Sequence, residues 1–208
     1  MKMRAFAGVV LAQLAFTAAA WAQDVRITPD LSEISVNSAG QSVTIRRIQD
    51  TENTLTGEWA RTSRPCPDQC LQPISASDGV ATAGELEVLS FLQNEASTGR
   101  GLLIDTRLPD AFADGTIPGA VNVPHATLDA QNPFRTEILR ALGATQTGSG
   151  GQWEFSGAFS LMLFCDGPWC SSAQDAVRSL VSSGYPPAKL GYYRGGMQVW
   201  QLMGLTVS

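Results

Sequence analysis

Leu161-Met162-Leu163-Phe164-Cys165-Asp166-Gly167-Pro168-Trp169-Cys170-Ser171-Ser172 is the stretch on which the fold turns. Leu161 to Phe164 is apolar without alternation, which predicts a strand buried on both faces at the centre of a parallel sheet. Beyond it, Ala173, Ala176, Val177, Leu180 and Val181 recur at helical spacing until Gly184 stops the pattern. The chain therefore reads strand, cysteine, tight loop, helix. A loop that closes onto a helix N-terminus turns backbone N–H groups inward, and the helix dipole adds partial positive charge, so an anion at the loop centre is stabilised. For Cys165 that anion is its own thiolate or an outer sulfur bonded to it. The plainer alternative is a buried strand-end cysteine without chemistry. Ser171 or Ser172 is expected to cap the helix, with Gln174 or Asp175 completing a capping box.

Outward from this stretch, strands and helices alternate. Thr82-x-x-Glu85 reads as a capping box opening a helix through Leu86, Leu89, Phe91 and Leu92 that ends near Gly99. Gly101 to Ile104 reads as a strand, Pro109 to Phe112 as one helical turn, and Ala120 to Val123 as a strand ending at Pro124. Phe134, Ile138, Leu139 and Leu142 have helical spacing closed by Gly143, and the glycine-rich stretch 146–151 reads as an exposed insertion. Leu190 to Tyr193 predicts another strand, and Gly195-Gly196 precedes a last short helix with Trp200 and Leu202. Such alternation predicts an α/β fold: a parallel sheet with helices on both faces. Before Thr82, Ile34, Val36 and Val43, Ile45 alternate with polar residues around Asn37-Ser38-Ala39-Gly40, which predicts a hairpin. The division expected is residues 1–22 as a leader, 23–80 as a small β extension and linker, and 81–208 as the sheet domain.

Four segments together resemble the rhodanese family of sulfurtransferases, from about Thr82 to Val207. They are Leu103-Ile104-Asp105-Thr106-Arg107, then Gly115-Thr116-Ile117-Pro118-Gly119-Ala120-Val121-Asn122-Val123-Pro124, then Leu163-Phe164-Cys165, and Tyr193-Arg194-Gly195-Gly196-Met197 with Trp200 and Gly204. The resemblance implies that Cys165 takes a sulfane sulfur from a thiosulfate-like donor as a persulfide, which a thiol or other thiophilic acceptor then attacks. It implies no cofactor and no metal. Asp166, Gly167, Pro168, Trp169, Cys170 and Ser171 stand where the family cradles the anion. Asp105 and Arg107 match an Asp-x-Arg element with a supporting role or a purely structural ion pair, and Arg194 is a candidate contact for an anionic substrate.

Two departures bear on the cradle. Many members have glycine three positions after the cysteine, whereas Gly167 stands at two and Pro168, which has no N–H, at three. Thr116 replaces a histidine common before Ile-Pro-Gly, and the only histidine, His125, is given no role. Pro168 and Trp169 are expected to narrow the pocket. A phosphatase of the same fold would carry a phosphate-gripping arginine at the end of the loop, but Ser171 stands there.

The remaining cysteines add a redox question. Cys170 could resolve a persulfide or form a reversible disulfide with Cys165, provided that the Cα atoms approach within about 7 Å. Cys66 and Cys70, in Cys-Pro-Asp-Gln-Cys, are similar to the Cys-x-x-x-Cys element of Sco-type copper chaperones, and a local disulfide or redox pair, free thiols and a Cu(I) site are the three readings. The alternatives to a sulfurtransferase are accordingly a non-catalytic sulfur- or copper-binding module, and a thiol–disulfide oxidoreductase that uses both pairs.

Composition and the N-terminus bound the setting. Lys2 and Arg4 precede an apolar run from Ala5 to Ala20, and Ala20-Trp21-Ala22 has the small residues of a cleavage site, so a signal peptide cut before Gln23 is expected. The run is shorter than the roughly 20 residues that span a bilayer. A periplasmic or secreted protein with no membrane attachment after cleavage follows, in a compartment where cysteines pair. The formal charge of −5, with no basic run, argues against a nucleic-acid partner.

Overall fold

A computed structural model describes residues 24–68, 70–148 and 151–208; the expected signal peptide lies outside them. Five parallel strands form the sheet, in the order β3-β9-β8-β4-β5, where β3 is Ala81–Ala83, β4 Gly101–Asp105, β5 Ala120–Asn122, β8 Ser160–Phe164 and β9 Leu190–Tyr193. The apolar strand β8 is the middle one. Its side chains divide between two cores, as period-two geometry requires. Leu161 and Leu163 point to the side covered by α3 (Arg135–Ala141) and α4 (Ser172–Ser182), where Leu139, Ala176, Val177 and Leu180 are buried. Met162 and Phe164 meet α1 (Glu85–Phe91) and α5 (Gly196–Leu202) through Val88, Leu89, Met197 and Trp200. Short helix α2 (Pro109–Ala113) joins β4 to β5.

The hairpin of β1 (Glu33–Ser38) and β2 (Gln41–Arg46) pairs Ile34 with Ile45 and Val36 with Val43. Ile34, Val36 and Ile45 are buried in the same core as Trp200 and Leu205. The chain end locks onto the hairpin, the Thr206 amide donating to the Arg46 carbonyl at 3.1 Å. On the other face Ile74, Ala76 and Val80 join the core beneath α4. Gln146, at the start of the stretch expected to be an exposed insertion, lies in β6 (Thr145–Gln146), which pairs antiparallel with β7 (Trp153–Glu154).

Both expected capping boxes differ from the structure. Thr82 lies in β3, where its hydroxyl donates to the Ile74 carbonyl, so it is drawn into the sheet and cannot cap. Gly84 is the N-cap instead, and the Glu87 carboxylate accepts from its amide at 3.0 Å. At α4 the N-cap is Ser171, but its side chain makes no capping bond, because its backbone (φ −89°, ψ −11°) is already turned towards helical geometry.

Candidate functional site

Cys165 follows the last residue of β8 and is 3% exposed. The end of β4 braces the strand beside it: the Thr106 amide and hydroxyl both donate to the Phe164 carbonyl, at 3.0 and 2.7 Å. The loop then curls back, and a disulfide joins Cys165 to Cys170 with their Cα atoms 6.3 Å apart. The Cys170 amide donates to the Gly167 carbonyl at 3.0 Å, closing a tight turn. Pro168 has no N–H and that of Cys170 is spent within the loop, so two of the six cradle positions offer an anion nothing.

The loop is held from behind by α5. The amides of Met197 and Gln198 donate to the carbonyls of Cys165 and Asp166, at 3.0 and 2.8 Å. Gly196 permits this approach: it has φ +56°, and a Cβ there would lie 2.4 Å from the Cys165 carbonyl oxygen and 2.7 Å from the Gly167 nitrogen. The sequence reading placed Gly196 before the last helix and within a family motif, without connecting it to the cysteine loop. Two adjacent glycines before a helix were the available signal.

Asp105 and Arg107 form a buried ion pair, Nη2 to Oδ2 at 2.7 Å, with side chains 0% and 4% exposed. The Thr116 hydroxyl donates to the same carboxylate at 2.8 Å, and Arg107 Nη2 also donates to the Gly115 carbonyl. The geometry is that of a structural anchor, and it also reaches the loop, because Arg107 Nη1 lies 3.7 Å from Asp166 Oδ1. Thr116, standing in the family's histidine position, thus completes this anchor. Burial raises the Asp166 pKa, the nearby Arg107 opposes that shift and Asp105 adds to it. Asp166 Oδ2 is 4.0 Å from Cys165 Sγ, so a carboxyl biased towards its neutral form adjoins the candidate nucleophile. The His125 amide donates to the Thr106 carbonyl at 3.1 Å.

The other cysteines lie close by. Cys66 and Cys70 form a second disulfide, Cα atoms 5.9 Å apart. Arg194, immediately after β9, donates from Nη2 to the Cys70 carbonyl at 2.7 Å. Gln198 Nε2 likewise donates to the Trp59 carbonyl at 2.7 Å. Trp59 and Cys70 are thereby fastened to Gln198 in α5 and to Arg194 at the end of β9. The Arg64 guanidinium stacks on the Trp169 ring, 4.7 Å from its centroid. Cys66, Cys70, Pro168, Trp169 and Arg194 consequently line one cavity. Arg64 was not singled out in the sequence, because nothing local marks an arginine that finds its partner about a hundred residues later.

Cys165, Asp166 and Cys170 place their ligand-capable atoms within 4.8 Å of one another, the arrangement a metal would need. Sulfurs joined in a disulfide supply no thiolate, and the same applies to Cu(I) at Cys66 and Cys70. In this state the cysteines can undergo thiol–disulfide exchange; once opened, Cys165 can act as a nucleophile.

A five-stranded parallel sheet with a cysteine loop closing onto α4 defines an α/β domain whose candidate nucleophile stands at the end of the central strand. The rhodanese-like domain family matches residues 88–203, and the chain belongs to it. Over 134 residues it is 27% identical to an HTH-type transcriptional regulator of Mycobacterium tuberculosis, an alignment covering 64% of this chain and 49% of that protein. The chain thus spans about half the length of that curated relative. Among solved structures it is similar to a human single-domain sulfurtransferase, with 25% identity and a TM-score of 0.41, over 59% of this chain and 96% of that one. It is also similar to a rhodanese-related protein from Thermoplasma volcanium, with 17% identity and a TM-score of 0.41, over 62% and 97% of the two chains. A protein described as a possible tyrosine phosphatase, from Rhodopseudomonas palustris, gives 18% identity and a TM-score of 0.45, over 64% and 88%. Family membership supports a sulfurtransferase-type or related function, with sulfur donors and acceptors as the general partner class. Among the described residues no helix is long and apolar enough to cross a membrane.

Proposed function

We propose that this chain is an exported sulfurtransferase that carries a sulfane sulfur on Cys165. The observation that carries this reading is the position of Cys165, at the end of the central strand and the start of a loop that closes onto α4. The disulfide makes the first step reductive. Two equivalents of an external thiol open the Cys165–Cys170 bond, giving two protein thiols and one external disulfide. The Cys165 thiolate then attacks the outer sulfur of a thiosulfate-like donor, the S–S bond of the donor breaks, and sulfite leaves with the electron pair. The helix N-terminus favours the persulfide anion so formed. An acceptor thiolate attacks the outer sulfur and restores the Cys165 thiolate. In a competing exit, Cys170 attacks Cys165 Sγ, expels hydrosulfide and re-forms the disulfide, which returns the protein to its starting state.

Export rests on the leader-like sequence before Gln23, and the division at residue 80 belongs to the same reading. The test is intact mass of the protein recovered from the producing cells. The chain should begin at Gln23 and, after reduction and thiosulfate, gain one sulfur that Cys165→Ser does not gain. A full-length chain would overturn export, and an undiminished gain in that variant would overturn the carrier assignment.

One specific observation favours a second reading. Both cysteine pairs are oxidised, and in each pair one residue, Cys66 and Cys170, is the more exposed. An oxidoreductase would pass two electrons from one pair to the other, and alkylation of each reduced pair in the absence of the other separates this from sulfur transfer.

A further inference from the structure

Asp166 meets both the buried sulfur and the solvent. Its Oδ2 lies 4.0 Å from Cys165 Sγ, and one of its carboxylate oxygens and both loop sulfurs fall within 4.8 Å of one another. Cys165 is 3% exposed, whereas the Asp166 side chain is 38% exposed, so water reaches the acid far more readily than the sulfur. Opening the disulfide creates an anion at that sulfur. Cys170 is the more exposed of the pair, so an incoming thiolate meets Cys170 Sγ and the electron pair of the broken S–S bond falls on Cys165. The loop is short of donors for it, because Pro168 has no N–H and the Cys170 amide already serves the Gly167 carbonyl. An ionised Asp166 would add a second negative charge 4.0 Å from the sulfur. Like charges so close disfavour each other, and the two groups therefore keep one proton between them.

The groups around Asp166 leave this proton no other holder. From the end of β4, Arg107 Nη1 stands 3.7 Å from Asp166 Oδ1, and Asp105 is itself bound to Arg107. Guanidiniums stay protonated and supply no proton, which applies equally to Arg64 on the Trp169 ring. The first turn of α5 meets the loop through the uncharged amides of Met197 and Gln198, and Asp175 in the first turn of α4 is paired with Arg178 at 2.6 Å. Burial raises the Asp166 pKa against the pull of Arg107 and Arg64, and Asp105 adds to the rise.

We propose that Asp166 is the proton carrier of Cys165, giving its proton to that sulfur when the disulfide opens and taking it back when the thiolate is needed. In the first step the external thiolate bonds to Cys170 Sγ, the Cys165–Cys170 bond breaks, and the Asp166 carboxyl proton passes to Cys165 Sγ; the carboxylate left behind faces Arg107. A second thiolate attacks the external sulfur of the mixed disulfide, the external disulfide leaves, and the Cys170 thiolate takes its proton from solvent. The return step rests on the reading of Cys165 as a sulfur carrier: the Asp166 carboxylate withdraws the Cys165 proton as the sulfur attacks a thiosulfate-like donor and sulfite leaves. The neutral carboxyl then donates to the sulfur anion, a donor that the loop backbone lacks at Pro168.

The test is the rate at which 2-mercaptoethanol opens the Cys165–Cys170 bond, divided by the concentration of its thiolate and followed from the acid range to above neutrality by acid quench, alkylation and mass. In the parent this rate should be highest while Asp166 is neutral and fall by about tenfold or more as pH rises through its ionisation, the scale of a lost general acid. Asp166→Asn, which keeps the shape but carries no transferable proton, should remove the step. Asp166→Glu, with a titrating carboxyl on a longer arm, should restore a step at a displaced midpoint, an outcome that a purely structural role for the side chain does not give. A parent profile without a step, or a step unchanged in Asp166→Asn, would overturn the proposal. Thiosulfate added to the reduced protein separates the two claims. A pH step with no sulfur gained at Cys165 defeats the carrier reading and leaves Asp166 as the proton donor of disulfide opening. Sulfur gain with a flat opening profile defeats the role of Asp166 alone.

Discussion

The amide of Met197 donates to the carbonyl of Cys165 at 3.0 Å, so the first turn of α5 holds the residue on which the proposed chemistry depends. That contact exists because Gly196 has no side chain. Gly196→Ala would place a methyl group 2.4 Å from the Cys165 carbonyl oxygen at φ +56°, and one of the two segments must move. The expected result is a stability loss of more than about 1 kcal/mol together with loss of sulfur transfer. Urea unfolding and a transfer assay on the same preparation check it, and retention of full activity would show that the loop does not depend on this support.

Arg107→Met should be among the most damaging single changes. It leaves the carboxylate of Asp105 buried with the Thr116 hydroxyl and the Arg107 amide as its remaining partners. Breaking a buried pair in this way costs about 3–5 kcal/mol. Asp105→Asn combined with Arg107→Met should recover part of that loss, because the stranded charge is then removed. Additive losses in the double variant would contradict the ion-pair account.

The N-terminal hairpin is expected to be part of the folding unit. Ile45 is fully buried in the core that contains Trp200. Ile45→Ala should cost about 2–5 kcal/mol, the range for a large-to-small change in a packed core. The midpoint of one cooperative urea transition should fall accordingly; a loss confined to a separate, earlier transition would make the hairpin independent.

Asp166 gives a signed pH dependence. Burial holds its carboxyl above the ordinary aspartate value against the pull of Arg107. The folded chain therefore binds this proton more tightly than the unfolded chain does, and the contribution is full below the ordinary aspartate pKa and lost as pH rises through the raised one. Asp166→Asn should become more stable relative to the parent as pH rises over that window. A constant difference between the two across the acid range, read from urea midpoints, would contradict the assignment.

Cys170→Ala should keep sulfur transfer, since the carrier remains, but lose protection. Without a partner for Cys165, mild oxidant should drive it to sulfinic acid, so that a dithiol restores activity to the parent and not to the variant. Mass of the oxidised forms distinguishes a disulfide from added oxygen.

Taken alone, the sequence determined four of the five strands of the sheet; the edge strand β3 was hidden where Thr82 read as a helix cap. Leu161 to Phe164 read as a strand buried on both faces, Leu190 to Tyr193 is a strand over the same residues, and the 2.0 and 3.6 periodicities placed the main helices and the hairpin because they record which side chains must leave water. It also marked the loop after β8 as the place for chemistry, since strand, cysteine and helix are consecutive in the chain. Capping was less legible, because the competition for Thr82 is settled by Ile74 across the sheet edge, a partner that no local pattern reveals. Tertiary structure alone decided that Arg107 reaches both Asp105 and Asp166, that α5 backs the cysteine loop, and that Arg64 lies over Trp169 beside Arg194. Those contacts join residues tens to more than a hundred positions apart, and their energies depend on burial and distance, which a chain acquires only when it folds.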